Sequence, residues 1–199
     1  MIETTLTTPT RINQGDICKN IEYIEYMNLD STLEIVEISK IDFPSVFVLS
    51  QDCDLSQDFK FRTKCKSRTE INPLDTSINQ DKFLLSVLVA PLYVAEQVFI
   101  GEHLIELGNH MGIQGKRDKE IIMQNQRERY HYLDFDSCVH LPASIIDFKH
   151  YFSVNVQNLQ SDIDKKFVCS VSPLYREHVC QRFSNYLSRI GLPDPKYME

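Results

Sequence analysis

The stretch from Pro44 to Leu55, PSVFVLSQDCDL, constrains the fold most strongly. Residues 46–49 form a short run of β-branched and aromatic side chains, which is typical of a buried strand. The run ends in Ser-Gln-Asp-Cys-Asp, a polar cluster with turn chemistry. A core strand that delivers Cys53 between Asp52 and Asp54 is one way to place a functional site on a rigid scaffold. We predict a strand that ends in such a site, with Cys53 mostly buried; the alternative is a structural turn around a buried cysteine.

Other short apolar runs extend the strand pattern along the chain. The most apolar, residues 83–94, predicts a central strand broken at Pro91. Further strands are predicted at residues 21–27, 33–40, 129–135, 144–149, 151–157 and 166–171. Between residues 96 and 128 the strand pattern is lost and glycines recur, which predicts an insertion of short helices and loops. The predicted fold class is therefore mainly β, in a single domain over residues 1–199.

The C-terminal region carries the clearest helix pattern. Ser172 suits the N-cap position, Pro173 the first helical position and Gly191 the residue after the last turn. Apolar side chains recur between them at helical spacing, which predicts an α-helix over residues 172–191. The side chains predicted to dock this helix are Val179, Phe183, Leu187 and Ile190.

Charge is unevenly distributed in a chain with a net charge of −7. Residues 1–58 carry eleven acidic and three basic side chains, whereas residues 59–69, FKFRTKCKSRT, carry no acid. If this second stretch is extended, its cations all share one face. Such a stripe suits a phosphate backbone, and a solvated hairpin arm is the alternative. The predicted nucleic-acid-binding residues are Lys60, Arg62, Lys64, Lys66 and Arg68.

The cysteines and the N-terminus bear on compartment and cofactors. Six cysteines are scattered without a Cys-x-x-Cys pair, which favours reduced thiols. Cys138 and His140 have ligand-like spacing, but two ligands do not make a zinc site. The chain has no apolar run long enough to span a membrane and no signal-peptide pattern. The sequence therefore predicts a cytoplasmic protein without membrane association, cofactor or metal.

Basic side chains near residue 130 supply the other candidate site residues. Arg127, Arg129 and His131 recur at period two, so on a strand they line one face. They could hold a phosphate or pair with the acids beside Cys53, and a structural salt bridge is the alternative. Those acids raise the pKa of a neighbouring thiol, which disfavours a cysteine hydrolase. The candidate catalytic residues are Asp52, Cys53, Asp54, Arg129 and His131, and a metal nuclease would use Asp52, Asp54, Asp134 and Asp136.

Three segments, in order, resemble the MazF/PemK toxin family. Gly15-Asp16-Ile17 is similar to its Gly-Asp-Ile opening, Phe43-Pro44 through Ser50 to its Arg-Pro strand, and Ala90-Pro91-Leu92-Tyr93 to its Pro-x-Thr strand. The resemblance covers roughly residues 12–95, with a continuation through 130–157, and implies a partly open SH3-like β-barrel. Residues 12–95 would form its first half and 129–171 its remaining strands. The family's catalytic Arg and Thr correspond to Phe43 and Tyr93, so the usual ribonuclease pair is missing.

The resemblance implies a setting in bacterial toxin–antitoxin or anti-phage biology. Ser50-Gln51-x-Cys53-Asp54-Leu55 also resembles a motif of uncharacterised phage and mobile-element proteins. The leading expectation is a barrel that binds RNA, DNA or a partner protein without the MazF catalytic pair. One alternative is a ribonuclease or other phosphodiesterase that uses Asp, Arg and His residues around Cys53. Another is an accessory subunit that recognises a protein through the acidic half of the chain.

Overall fold

The computed structural model describes residues 1–30, 35–66 and 81–189, and only the backbone of residues 26–30, 35, 65 and 66. Within that part of the chain, eight strands form one antiparallel sheet and six α-helices are present. The strands are β1 (Thr4–Thr5), β2 (Asp16–Asp30), β3 (Ile35–Val48), β4 (Ser86–Val94), β5 (Tyr130–Leu133), β6 (Ser144–Asp147), β7 (Phe152–Asn155) and β8 (Phe167–Val171). The helices are α1 (Asp52–Lys66), α2 (Ala95–Ile100), α3 (Lys116–Met123), α4 (Val156–Gln160), α5 (Ile163–Lys166) and α6 (Pro173–Leu187), with 3-10 turns at Ile105–Leu107 and Phe148–His150. The chain is thus a β-rich α+β protein.

The sheet is open, because its two edge strands, β1 and β5, are not paired with each other. Its order is β1-β8-β2-β3-β4-β6-β5, and β7 also pairs with β4. The two ends of this order meet at one parallel bridge between Ile2 and Phe135. There the backbone N–H of Ile2 donates to the carbonyl of Asp134 at 2.7 Å. The mainly β prediction is confirmed, and the sheet is not closed into a barrel.

β2 and β3 form the longest ladder of the sheet. Their pairing runs from Ile17 opposite Phe47 to Asp30 opposite Ile35, with a shift of register near residue 25. The strands predicted at residues 33–40 and 46–49 join in one continuous strand over residues 35–48, because Pro44 falls within β3. It lies opposite Asn20, whose φ of 55° marks an irregular position where the missing proline N–H is tolerated.

Strand β4 runs through Pro91, so the predicted break there is wrong. The strand changes partner at this point instead of ending. Its first half pairs with β7 up to Val89, and its second half pairs with β6 from Leu92. On its other edge β4 pairs with β3 at residues 89–91. A proline at such a change of partners costs few ladder hydrogen bonds.

Apolar side chains form a core on each face of the sheet. Val46 and Val48 belong to one cluster, whereas Phe47 and Leu49 belong to the other. Alternate residues of a strand point to opposite faces, so a run that is buried on both faces is continuously apolar. This double burial explains why residues 46–49 have no polar member.

Helix α6 covers the second of these clusters. Val179 and Phe183 are buried, and the Phe183 ring lies 5.5 Å from that of Phe148. The predicted helix is confirmed, but Leu187 is 50% exposed and does not dock it. Ser172 makes no side-chain capping hydrogen bond, and Ile190 and Gly191 lie outside the described residues.

Helix α1 overturns the predicted basic stripe. Residues 59–66 belong to this helix, so cations at every second position are about 200° apart around its axis instead of sharing one face. Arg62 turns back to Asp58, with Nε 2.9 and 2.7 Å from the two carboxylate oxygens. Lys60 and Lys64 are exposed. Of Lys66 only the backbone is described, and Arg68 lies outside the described residues.

Candidate functional site

Cys53 is exposed in the first turn of α1, so the prediction of a buried thiol is wrong. Its Sγ lies 3.6 Å from Oε1 of Gln51 and 3.5 Å from Oδ1 of Asp54, which is also exposed. The chain turns into a helix directly after Ser50. The helix directs Leu55, which is 3% exposed, toward the core in place of Cys53.

Asp52 fastens α1 to the N-terminal segment. Its carboxylate accepts hydrogen bonds from Nη1 and Nη2 of Arg11 at 3.1 and 2.9 Å. Burial raises the pKa of Asp52, but the hydrogen bonds and charge of Arg11 outweigh it, so the pKa is lowered overall. The basic partner of Asp52 is therefore Arg11 and not one of the basic side chains near residue 130.

Arg129 instead pairs with a carboxylate that the sequence did not single out. Nε and Nη2 of Arg129 donate to the two oxygens of Asp147 at 2.8 and 2.5 Å. Asp147 ends β6 and is fully buried, whereas 24% of the Arg129 side chain is exposed. A bidentate pair of this kind fixes both groups in one geometry.

His150 approaches the same carboxylate from the other side. Asp147 accepts a hydrogen bond from the backbone N–H of Lys149 at 3.0 Å and so caps the 3-10 turn Phe148–His150. Residues three apart eclipse one another in such a turn, which places His150 over Asp147. Nδ1 of His150 is 3.3 Å from Oδ2 of Asp147 and 3.2 Å from the hydroxyl of Tyr93.

The environment keeps these groups uncharged apart from the Arg129–Asp147 pair. Burial lowers the pKa of His150, and Arg129 also lowers it, against the opposing charge of Asp147. Burial likewise raises the pKa of Tyr93 and lowers the pKa of His103. The His103 ring packs against Tyr93 with centroids 4.9 Å apart, and its buried nitrogens have no hydrogen-bond partner within the described part of the chain. A neutral histidine beside a protonated phenol can accept a proton.

Tyr93 and His150 open onto an aromatic cavity of about 270 Å³. Phe43 and Phe152 stack in its wall with centroids 4.9 Å apart, and Tyr23 meets Phe152 edge-on at 5.1 Å. The remaining lining residues are Ile41, Leu104, Leu107, Asn109 and Tyr151. Phe43 and Tyr93 thus line the same cavity.

Comparison of the chain with protein-family models, with curated proteins and with solved structures finds no match in any of the three. No helix among the described residues has the length and apolar character needed to cross a membrane. The described histidine, cysteine, aspartate and glutamate side chains form no group of three or more that could hold a metal ion.

His131 does not join Arg129 in this site. Its ring is 3% exposed and packs between Phe148 and His178, at centroid distances of 6.3 and 5.2 Å. Burial, with the charges of Arg182 and His178, lowers the pKa of His131 to about 3. Arg127 points elsewhere and donates to Asp118 at 3.1 Å. The structure therefore does not assemble the predicted catalytic residues into one cluster.

A larger cavity of about 630 Å³ lies between α1 and α4. The side chains of Asp58, Arg62 and Gln160 in its wall are engaged within the protein. Asp58 accepts from Arg62 and from the backbone N–H of Leu84, and Gln160 bonds the backbone of Thr10 and Ile12. This cavity is therefore an apolar space without the acid–base groups of the Tyr93 cavity.

Sequence reasoning missed Asp147 and His150, although one pattern pointed to them. Residues 144–147, SIID, form a short run that ends in the carboxylate of Asp147, and residues 46–51 likewise lead to Asp52. His150 follows Asp147 three positions later. The same rule that selected Asp52 would therefore have selected Asp147. Tyr93 was noted only as a departure from the MazF pattern.

Proposed function

We propose that the aromatic cavity at Tyr93 binds one unpaired nucleotide of RNA or DNA. The observation that carries the proposal is the meeting of Phe43, Tyr93 and His150 in one cavity walled by further aromatic rings. Proteins hold unstacked bases by stacking them on aromatic side chains. A volume of about 270 Å³ is at or below the lower end of sites for drug-sized ligands, about 300–1,000 Å³, and suits one ring system.

We also propose that the chain is a partly open SH3-like barrel of the MazF/PemK type. The bridge between Ile2 and Phe135 supports this, because it joins the two ends of the sheet order. Phe43 and Tyr93 support it too, since they share a cavity as two matched site positions would. The bacterial toxin–antitoxin or anti-phage setting rests on the resemblance of the three segments. Nucleic-acid binding by the exposed Lys60 and Lys64 stays a separate prediction.

Anisotropy of labelled single-stranded RNA and DNA of mixed sequence tests the binding. Tyr151 lines the cavity and is 42% exposed, so Tyr151→Ala removes a stacking surface at little risk to the fold. We expect affinity to fall roughly tenfold to a hundredfold, since one stacked base contributes about 1–3 kcal/mol. Tyr175→Ala is the matched control, because Tyr175 is 37% exposed on α6 and does not line the cavity. Equal effects of the two variants, or no saturable binding by the wild type, contradict the proposal.

A second candidate function is cleavage of the bound phosphodiester. It is favoured by the chain of contacts from Arg129 through Asp147 to His150. If Nδ1–H of His150 donates to Asp147, Nε2 is left as an acceptor. It can take the proton of a ribose 2′-hydroxyl as that oxygen bonds to phosphorus, while the P–O5′ bond breaks and the leaving 5′-oxygen takes a proton from water. In this candidate function the proton-accepting group is His150, whereas the phosphodiesterase alternative raised from the sequence used residues around Cys53.

His150→Asn separates cleavage from binding. We expect it to abolish cleavage of labelled single-stranded RNA while the RNA still binds. His110→Gln is the control, because His110 is exposed outside the cavity. In the wild type, the cleavage rate should rise with pH and level off once His150 is neutral. RNA that stays intact with the wild-type protein leaves binding as the function.

A further inference from the structure

The hairpin of β2 and β3 extends beyond the rest of the sheet. β8 pairs with β2 only at residues 16–18, and β4 pairs with β3 only at residues 46–48. Within the described part of the chain, the remaining residues of these two strands have only each other as strand partners. We call residues 24–30 and 35–40 the β arm. A two-stranded ribbon is marginally stable in water, so such an arm gains from being covered.

One face of the β arm is apolar and exposed. Val36, Ile38 and Lys40 alternate along β3 and therefore share a face, and Ile24 lies opposite Lys40 in the ladder. Ile24 is 56% exposed, Val36 54% and Ile38 55%. Ile24, Val36 and Ile38 thus share one face of the two-stranded arm, and a patch of this kind marks an interaction site.

The surroundings of this face are acidic. Among the described side chains of residues 19–45, the acids are Glu22, Glu25, Glu37 and Asp42, against Lys19 and Lys40. Lys40 is already neutralised, because its Nζ contacts Glu22 and lies 3.8 Å from Asp42. Glu25 and Glu37 remain exposed on the arm. The arm therefore attracts cationic partners.

We propose that the β arm binds an extended basic segment of a partner protein. This segment adds as a further strand to one of the two open edges of the arm. Main-chain hydrogen bonds to the edge would provide affinity. Alternate side chains would provide specificity, with apolar ones covering Val36 and Ile38 and cationic ones meeting the acids. No described side chain of the β arm lines the aromatic cavity, although Tyr23 and Ile41 of the cavity wall are its direct neighbours in the ladder.

A labelled peptide of alternating lysine and valine is the probe, with the full chain as its binder. We expect saturable binding that weakens with salt. The same peptide with glutamate in place of lysine should not bind. The lysine peptide with every backbone nitrogen methylated should lose binding, because neither of its edges can then donate ladder hydrogen bonds. Undiminished binding of the methylated peptide would overturn strand addition.

Two matched variants locate the binding. Ile38→Lys places a cation on the apolar face and should weaken peptide binding by about tenfold or more. Ile113→Lys makes the same change at a side chain that is 78% exposed and outside the arm, and it should leave binding unchanged. Thermal melts followed by circular dichroism check that both variants fold. Equal binding by the two variants overturns the proposal.

Sedimentation velocity distinguishes a second copy of the chain from a basic partner. We expect the wild type and Ile38→Lys to have the same oligomeric state in the absence of peptide. If the wild type is a dimer that Ile38→Lys converts to a monomer, the arm pairs with itself and the basic partner is excluded from this surface.

Discussion

The carboxylate of Asp147 is fully buried, and the guanidinium of Arg129 donates two hydrogen bonds to it, at 2.8 and 2.5 Å. The pair joins the end of β6 to the residue before β5, and it faces His150 and, through it, Tyr93. A buried ion pair adds little stability by itself, because the desolvation of both groups offsets their attraction. Removing one partner is costly, however, since the other charge is left without compensation.

Asp147→Asn should therefore lower the free energy of unfolding by about 3–5 kcal/mol. The amide cannot neutralise Arg129, although it can still cap the following turn. Urea denaturation measures the loss. Asp118→Asn is the control, because the Arg127–Asp118 pair is 46% and 48% exposed and should contribute less than about 1 kcal/mol. Similar losses in both variants would mean that the Arg129 pair behaves as a surface contact.

Phe183→Ala tests the docking of α6. Phe183 is 6% exposed and its ring lies near those of Phe148 and Tyr151, at 5.5 and 5.3 Å. Its truncation should cost about 3–5 kcal/mol as a core cavity. Leu187→Ala, at a side chain that is 50% exposed, should cost less than about 1 kcal/mol. A small loss for Phe183→Ala in urea denaturation would show that the helix is peripheral.

The sequence predicted the strands well where burial alone determines them. Residues 46–49 and 87–93 are mostly buried and continuously apolar, with side chains in the cores on both sheet faces. Leu85, within the strand predicted at residues 83–94, is instead 89% exposed and lies before β4. The clearest error concerned the basic stretch over residues 59–69, where cations at every second position suggested an extended strand. Two patterns favoured the helix that forms there: Asp58 and Arg62 at spacing i, i+4, and Asp52 with Asp54 in the first turn, where the helix dipole favours acids.

The candidate site was predictable only in part. The sequence named Arg129 as a side chain that could pair with a carboxylate beside Cys53. Its partner is instead Asp147, which ends β6 and is far from Cys53 in sequence. Periodicity states which residues share a face and says nothing of which strands are neighbours. The order β3-β4-β6-β5 brings Tyr93 and Asp147 to adjacent strands, and that order is a property of the whole fold.

Cysteine reactivity should separate the thiols by exposure. Cys53 and Cys138 are exposed, whereas Cys18 and Cys169 are buried with pKa values raised to about 12, by burial above all. Only thiolates react with iodoacetamide, so the buried pair should label only after unfolding. Mass spectrometry of native and urea-treated protein, resolved by peptide, measures each site. A Cys53 that stays unlabelled in the native protein would contradict its exposed position in α1.

Two buried groups should give opposite pH dependences of stability. Burial raises the pKa of Asp16 from 3.8 to about 6. The contribution of Asp16 to the free energy of unfolding is therefore present below pH 3.8 and is lost as the pH rises to about 6. Burial lowers the pKa of His131 from 6.5 to about 3. The contribution of His131 to the free energy of unfolding is therefore present above pH 6.5 and is lost as the pH falls to about 3. Between about pH 4 and 6 each changes the free energy of unfolding by about 1.4 kcal/mol per pH unit, with opposite sign.

Asp16→Asn should remove one of the two slopes. The free energy of unfolding of this variant should then fall more steeply than that of the wild type on acidification from pH 6 to 4, by about 1.4 kcal/mol per unit. His131→Asn should change the slope in the opposite direction. Comparing slopes instead of absolute values separates titration from the packing changes that either substitution causes. Urea denaturation at half-unit steps of pH measures them, and parallel curves for the wild type and both variants would contradict the burial of these two ionisable groups.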